Sequence, residues 1–219
     1  MSTLREALLQ VSTRLAQAGL NPGTAGNVGV RDGDGVLITP SGMPVERITA
    51  HDMVWLGFDG RIQGVREPSS EWRLHHAILR TRPDIHAVIH THSMFASTLS
   101  CLRRDVPPIH YMIAVTGART IRCAPYALFG TQACADAAAE ALLGSKACLL
   151  ANHGMVALGR DLDDALAVAL AVEELCEQYW RALQAGTPCV LSDAEMDAVF
   201  ERFKSYGSTN NDTKTTARS

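Results

Sequence analysis

The spacing of apolar residues changes repeatedly along this chain, and a chain that keeps switching between helical and strand periods is confined to an α/β architecture. Leu4, Leu8, Val11 and Leu15 fall on one stripe at helical spacing, and Gly19 stands where that helix stops. From Gly26 to Thr39, β-branched and small residues interrupted by "RDGDG" predict a hairpin with a glycine-rich turn, and "MVWLGFDGRI" repeats the pattern around Asp59 and Gly60. "SSEWRLHHAILRTRP" predicts a helix closed by Pro83, followed by the strand "HAVIHTHS" and a helix from near Met94. An alanine-rich helix over residues 131–143, the strand-like run "KACLLANHG" and a long helix over residues 161–184 complete the pattern. Because strands and helices alternate irregularly, the expected fold is α/β with a central, mostly antiparallel β-sheet sandwiched by α-helices. A single domain is expected over residues 1–207. The polar run "STNNDTKTTARS", residues 208–219, lacks apolar anchors and is expected to be a disordered tail.

Composition narrows the partners. A chain of 219 residues with 47% hydrophobic content can bury one large core. No apolar run approaches the roughly 18 residues that span a bilayer, and the opening helix lacks a signal-peptide cleavage site, so the expectation is a cytoplasmic protein without a membrane partner. The six cysteines are scattered with no C-x-x-C pair, which suits reduced core thiols. With a net charge of −3 and no dense cluster of Lys and Arg, nucleic acid is not expected either. What remains is a small-molecule ligand.

The strand "AVIHTHS" ends in two histidines one residue apart. Residues i and i+2 of a strand project to the same face, so His90 and His92 can aim at one common atom. A bare H-x-H pair is equally compatible with hydrogen-bonded core histidines. His153 alters that balance, because it also ends an apolar run and is followed by Gly154, expected to let the chain turn sharply. Three histidines at strand ends match the ligands of a catalytic zinc site with one open position. His51, His75, His76, His86 and His110 read as surface or supporting residues, His75 lying one helical turn after Glu71.

Small polar residues form a second set. Gly26-Asn27, Ser41-Gly42 and Ser69-Ser70 each sit in an expected turn, and together they could hold a dianion. Ser69 and Ser70 also stand at an expected helix start, where free amides and the macrodipole favour phosphate. Each pair taken alone is more commonly plain cap or turn chemistry, and a carboxylate such as Glu71 in a first helical turn is ordinary too.

"TAGNVGVR", "ITPSGMP", "EPSSEWRLH", "VIHTHS", "IHYMIAVTG", "CAPYALFGT" and "ANHGMVALG", in this order, resemble the class II aldolase family from about Leu4 to Gly207. The resemblance implies the class II aldolase/adducin-like fold and a homotetramer with active sites between subunits. It implies that His90, His92 and His153 bind zinc, with Glu71 as catalytic carboxylate and occasional fourth ligand. It further implies that Gly26, Asn27, Ser41, Gly42, Ser69 and Ser70 hold a substrate phosphate, and that Tyr111 donates a proton in the adjacent subunit's site. Phe129 and Tyr206 match residues covering the aldehyde end.

The implied reaction is cleavage of a ketose 1-phosphate to dihydroxyacetone phosphate and an aldehyde, with the metal as electron sink and no Schiff-base lysine. Lys146, Lys204 and Lys214 all lie away from the motifs. L-fuculose 1-phosphate, 5-deoxyribulose 1-phosphate and 5-methylthioribulose 1-phosphate share the features these motifs recognise. The alternatives on the same scaffold are sugar-phosphate epimerases, decarboxylases and dehydratases, and non-catalytic adducin heads. Related epimerases carry an acidic residue where this chain reads Ile109 to Met112, and adducin heads lack the metal ligands, so cleavage is expected.

Overall fold

A computed structural model describes residues 3–205 of the chain. The Thr3 hydroxyl caps helix α1 (Leu4–Gln17), and Gly19 beyond its end takes a left-handed φ of +75°. Strands β1 (Asn27–Asp32) and β2 (Gly35–Ile38) form the first hairpin, and β3 (Val54–Gly57) with β4 (Ile62–Gln63) the second. Then come α2 (Trp72–Thr81), β5 (Ala87–Thr91), α3 (Met94–Cys101), β6 (Arg122–Ala124), α4 (Gln132–Ala141) and β7 (Ala147–Leu150). The last elements are β8 (Gly154–Gly159), α5 (Leu162–Ala185) and α6 (Asp193–Ser205).

All eight strands join one sheet in the order β4-β3-β2-β1-β5-β8-β7-β6, antiparallel everywhere except between β6 and β7. The central strands β5 and β8 are buried on both faces, so they read in sequence as largely apolar runs without strict alternation. Alternation nevertheless sorts their side chains. Val28, Val30, Leu37, Ala87, Ile89 and Met155 pack with α1, α3 and α5, whereas Val36, Ile38, Val54, Val88, Val156 and Leu158 pack with α2 and α4. Each Val, Leu, Ile or Met among them contributes roughly 1.5–3 kcal/mol when fully buried. A one-residue slip would exchange the two faces, so burial pins the register that also aims His90.

Three expectations need correction. Helix α2 begins at Trp72 rather than at Ser69, because Trp72 N–H donates to the Ser69 carbonyl at 3.0 Å in a tight turn that leaves Glu71 at the cap position. His92 lies one residue past the end of β5. The run "KACLLANHG" is not a single strand: β7 stops at Leu150, and the chain reverses over Ala151 to His153 to return as β8. Asn152, with φ +54°, supplies the left-handed residue of that reversal in place of Gly154. Tyr206 and the tail at 208–219 lie outside the described residues.

Candidate metal centre and ligand cavity

The histidines arrive from two adjoining elements at one end of the sheet. His90 sits in β5 opposite Asn27 of β1 and on the face shared with Val88, turned toward α2. His92 precedes Ser93 at the start of α3, whose N-terminus is braced by Glu173 of α5. The Ser93 hydroxyl and the Phe95 and Ala96 amides all donate to the Glu173 carboxylate, at 2.6, 2.8 and 2.9 Å. His153 closes the β7–β8 turn. Its neighbour Gly154 has a steric duty: a Cβ there would lie 2.2 Å from the Thr91 carbonyl oxygen. Only glycine lets the His153 turn approach the strand end that carries His92.

The three rings meet edge to face, with centroids 4.7–4.9 Å apart. His90 Nε2 lies 3.0 Å from His92 Nε2, and the Glu71 oxygens lie 3.1 Å from His90 Nε2 and 3.2 Å from His153 Nε2. Glu71, His90, His92 and His153 thus offer one ligand atom each, all within 4.8 Å of one another. Nitrogens on a tetrahedral zinc at its usual bond length are about 3.3 Å apart, so this donor set fits such an ion. His90 Nδ1 lies 2.9 Å from the Met155 carbonyl. It can donate there, leaving Nε2 free as a ligand atom.

Burial alone would raise the Glu71 pKa, but the charges and hydrogen bonds of His90 and His153 outweigh it and hold the carboxyl well below the usual range. Burial, followed by the charges of His90 and His153, lowers His92 to about 4. Both side chains therefore stand at neutral pH in the form a cation binds. Although it occupies the cap position of α2, Glu71 makes no capping bond with its side chain. The carboxylate turns to the histidines instead.

Behind Glu71 stands a pair of groups whose joint role the spacing does not reveal. Asn27 Nδ2 donates to Glu71 Oε2 at 2.9 Å, and Asn27 Oδ1 lies 2.5 Å from His75 Nε2. His75 is fully buried, and its pKa falls to about 3 through burial and the nearby His90 charge. The one sequence signal was its position a helical turn after Glu71.

A cavity of about 320 Å³ opens over this cluster, reached by Glu71, His92 and His153. Gly26, Asn27, Ser41, Gly42, Ser69 and Ser70 all line it, so the structure brings the expected phosphate set to one place. Gly26 and Gly42 have φ of +77° and +67°. Asn21 packs beneath Gly26, where a Cβ would meet its side-chain oxygen at 2.2 Å. Ser69 is buried and its hydroxyl accepts from the Glu71 amide at 3.3 Å, while Ser70 is exposed.

Phe129 lines the same cavity with Tyr126, Ala127 and Asn152. Asn152 Oδ1 accepts from Arg103 Nε at 2.7 Å, and that guanidinium lies 5.8 Å from the Tyr126 ring. Sequence reasoning missed these rim residues. Tyr111 stands outside the lining, half-exposed and stacked on His110 at 4.7 Å between centroids.

Residues 6–180 match the model of the class II aldolase and adducin N-terminal domain. The chain is 50% identical over 204 residues, 93% of its length and 92% of the relative's, to a 5-methylthioribulose-1-phosphate/5-deoxyribulose-1-phosphate aldolase of Rhodospirillum rubrum. It is 44% identical to the L-fuculose phosphate aldolase of Escherichia coli K12, covering 93% of this chain and 95% of that one. A solved L-fuculose 1-phosphate aldolase superposes with a TM-score of 0.89 at 40% identity, over 93% of this chain and 98% of the other. With a Glu and three His converging beneath a polar cavity on this fold, the chain belongs to the class II aldolase and adducin N-terminal domain family.

Proposed function

We propose that this protein is a zinc-dependent aldolase that reversibly cleaves a ketose 1-phosphate to dihydroxyacetone phosphate and a short aldehyde. The observation that carries the reading is the convergence of the His90, His92 and His153 nitrogens on the Glu71 carboxylate, under a cavity walled by the three polar turns. His90, His92 and His153 would hold the metal, which supplies a Lewis acid for the charge that gathers on the substrate's carbonyl oxygen as the carbon–carbon bond breaks. The turns at Gly26-Asn27, Ser41-Gly42 and Ser69-Ser70 bind the phosphate. Binding energy far from the reacting bond thereby orients it.

The bond between the third and fourth carbons breaks, and its electron pair stays with the third carbon, delocalised into the carbonyl. Glu71, ionised at rest, relays a proton from solvent to that carbon, and takes it back in the condensation direction. The hydroxyl proton on the fourth carbon passes through the Tyr111 hydroxyl to solvent, and that carbon departs as the aldehyde. Tyr111 is exposed and outside the cavity, which supports its serving the site of a neighbouring copy in a homotetramer. Phe129, with Tyr126 and Ala127, walls the aldehyde end. The described cysteines are free thiols, in keeping with a cytoplasmic setting.

The test is an assay of L-fuculose 1-phosphate, 5-deoxyribulose 1-phosphate and 5-methylthioribulose 1-phosphate. Metal-stripped and zinc-restored protein are compared, and the released aldehyde is identified. Cleavage of at least one substrate is expected only after zinc is restored, at about one ion per chain. If none of the three yields dihydroxyacetone phosphate, the proposal is wrong.

A further inference from the structure

A buried histidine is expensive to desolvate unless both ring nitrogens find partners. His75 is fully buried, its Nε2 has the Asn27 oxygen at 2.5 Å, and its Nδ1 has no hydrogen-bond partner. That idle nitrogen faces Gly29 of β1, where an added Cβ would sit 2.6 Å from it. The strand thus omits a side chain to admit the ring, and the ring spends its one polar contact on Asn27. An aliphatic side chain would fill the same space at lower cost. Plain packing does not account for a histidine here.

Donor and acceptor logic says what the contact does. The Glu71 carboxylate only accepts, so the Asn27 group facing it at 2.9 Å must be the amide nitrogen. The Asn27 oxygen then faces His75, whose Nε2 must carry the hydrogen. An asparagine amide can turn over about its last bond, and the turned form would set oxygen against carboxylate. Nε2–H of His75 favours the form that donates to Glu71. From this chain we infer that His75 is a positioning residue: through the Asn27 amide it fixes the Glu71 carboxylate against the three metal-binding histidines.

The inference rests on Glu71 serving at the metal as proposed above, and zinc affinity reads it out without turnover. Zinc binding is measured by chelator competition for wild type, His75→Leu, Glu71→Ala and the double variant, after melting of the metal-free proteins confirms that each folds. Partners that orient ligands are worth about 10- to 100-fold in metal affinity or activity. His75→Leu should therefore weaken zinc binding about 10-fold when Glu71 is present. With Glu71→Ala already made, it should change binding by less than about twofold, the limit of ordinary additivity.

A second pair of variants keeps a polar group at the position and covers a Leu variant that fails to fold. Glutamine places its amide nitrogen as many bonds from Cα as His Nε2, and asparagine as many as Nδ1. His75→Gln should keep zinc affinity, and His75→Asn should lose it. Equal losses from His75→Leu in both backgrounds, or equal behaviour of the Gln and Asn variants, would overturn the inference while leaving the aldolase reading intact. A wild-type protein that binds no zinc would sink both.

Discussion

Burial and the neighbouring His90 charge bring His75 to a pKa of about 3 in the folded protein, against about 6.5 in an unfolded chain. In the metal-free protein between those values, the unfolded state holds a proton that the folded state refuses. The stability linked to His75 is therefore complete above about pH 6.5 and declines as pH falls toward the folded value. Each pH unit inside that window costs up to about 1.4 kcal/mol. Urea unfolding of the metal-free protein at several pH values should show the wild type losing more stability on acidification than His75→Gln, which lacks this titration. Parallel curves would mean that the ring titrates alike in both states. At this scale H-x-H and "NHG" could be read directly as candidate ligands, whereas Glu71 looked like any first-turn carboxylate until the family resemblance singled it out. The link between His75 and Asn27 could not, because 48 residues separate the two and only the packing of α2 on β1 brings them together.

The hairpin of β7 and β8 shows how a whole element escapes a reading by periodicity. Residues 147–150 and 154–159 are buried on both faces, so neither strand alternates, and the reversal between them is only three residues long. β6 is too short to carry a pattern. α6, to which the sequence reading assigned no element, does carry a helical stripe in Met196, Val199, Phe200 and Phe203, which pack against the core. Gly154 is the residue on which the hairpin's relation to β5 depends. Gly154→Ala places a Cβ against the Thr91 carbonyl, and backbone cannot yield as a flexible side chain can. Overpacking of this kind costs about 1–3 kcal/mol, and here the displacement separates His153 from His92. Gly186→Ala, where nothing lies within 4 Å of the new Cβ, is the control. Thermal melting and zinc titration should show lower stability and weaker zinc binding for Gly154→Ala alone, and retention of wild-type zinc affinity would disprove the steric account.

Across the whole molecule, the sheet separates two helical layers, and one of its ends gathers every proposed site residue among those described except Tyr111. Sequence motifs named Tyr111 but could not place it, because the role proposed for it would depend on a second copy of the chain. If each site combines Glu71 of one subunit with Tyr111 of the next, two inactive variants can complement each other. Tyr111→Phe removes the proton path to the aldehyde oxygen, and loss of such a group costs about 10²–10⁴-fold in cleavage. It should still allow exchange of the carbon-bound proton of dihydroxyacetone phosphate, which on the proposed mechanism requires only the metal, the phosphate site and Glu71. Glu71→Gln should lose both reactions. In a ring assembled at random from equal amounts of the two variants, about a quarter of the sites join an intact Glu71 to an intact Tyr111. Co-expressed mixtures, with hybrid assembly verified by distinct tags, should therefore recover cleavage that neither parent shows. Were Tyr111 to serve its own subunit, every site in the hybrid would lack one group, and verified hybrids would stay as inactive as their parents.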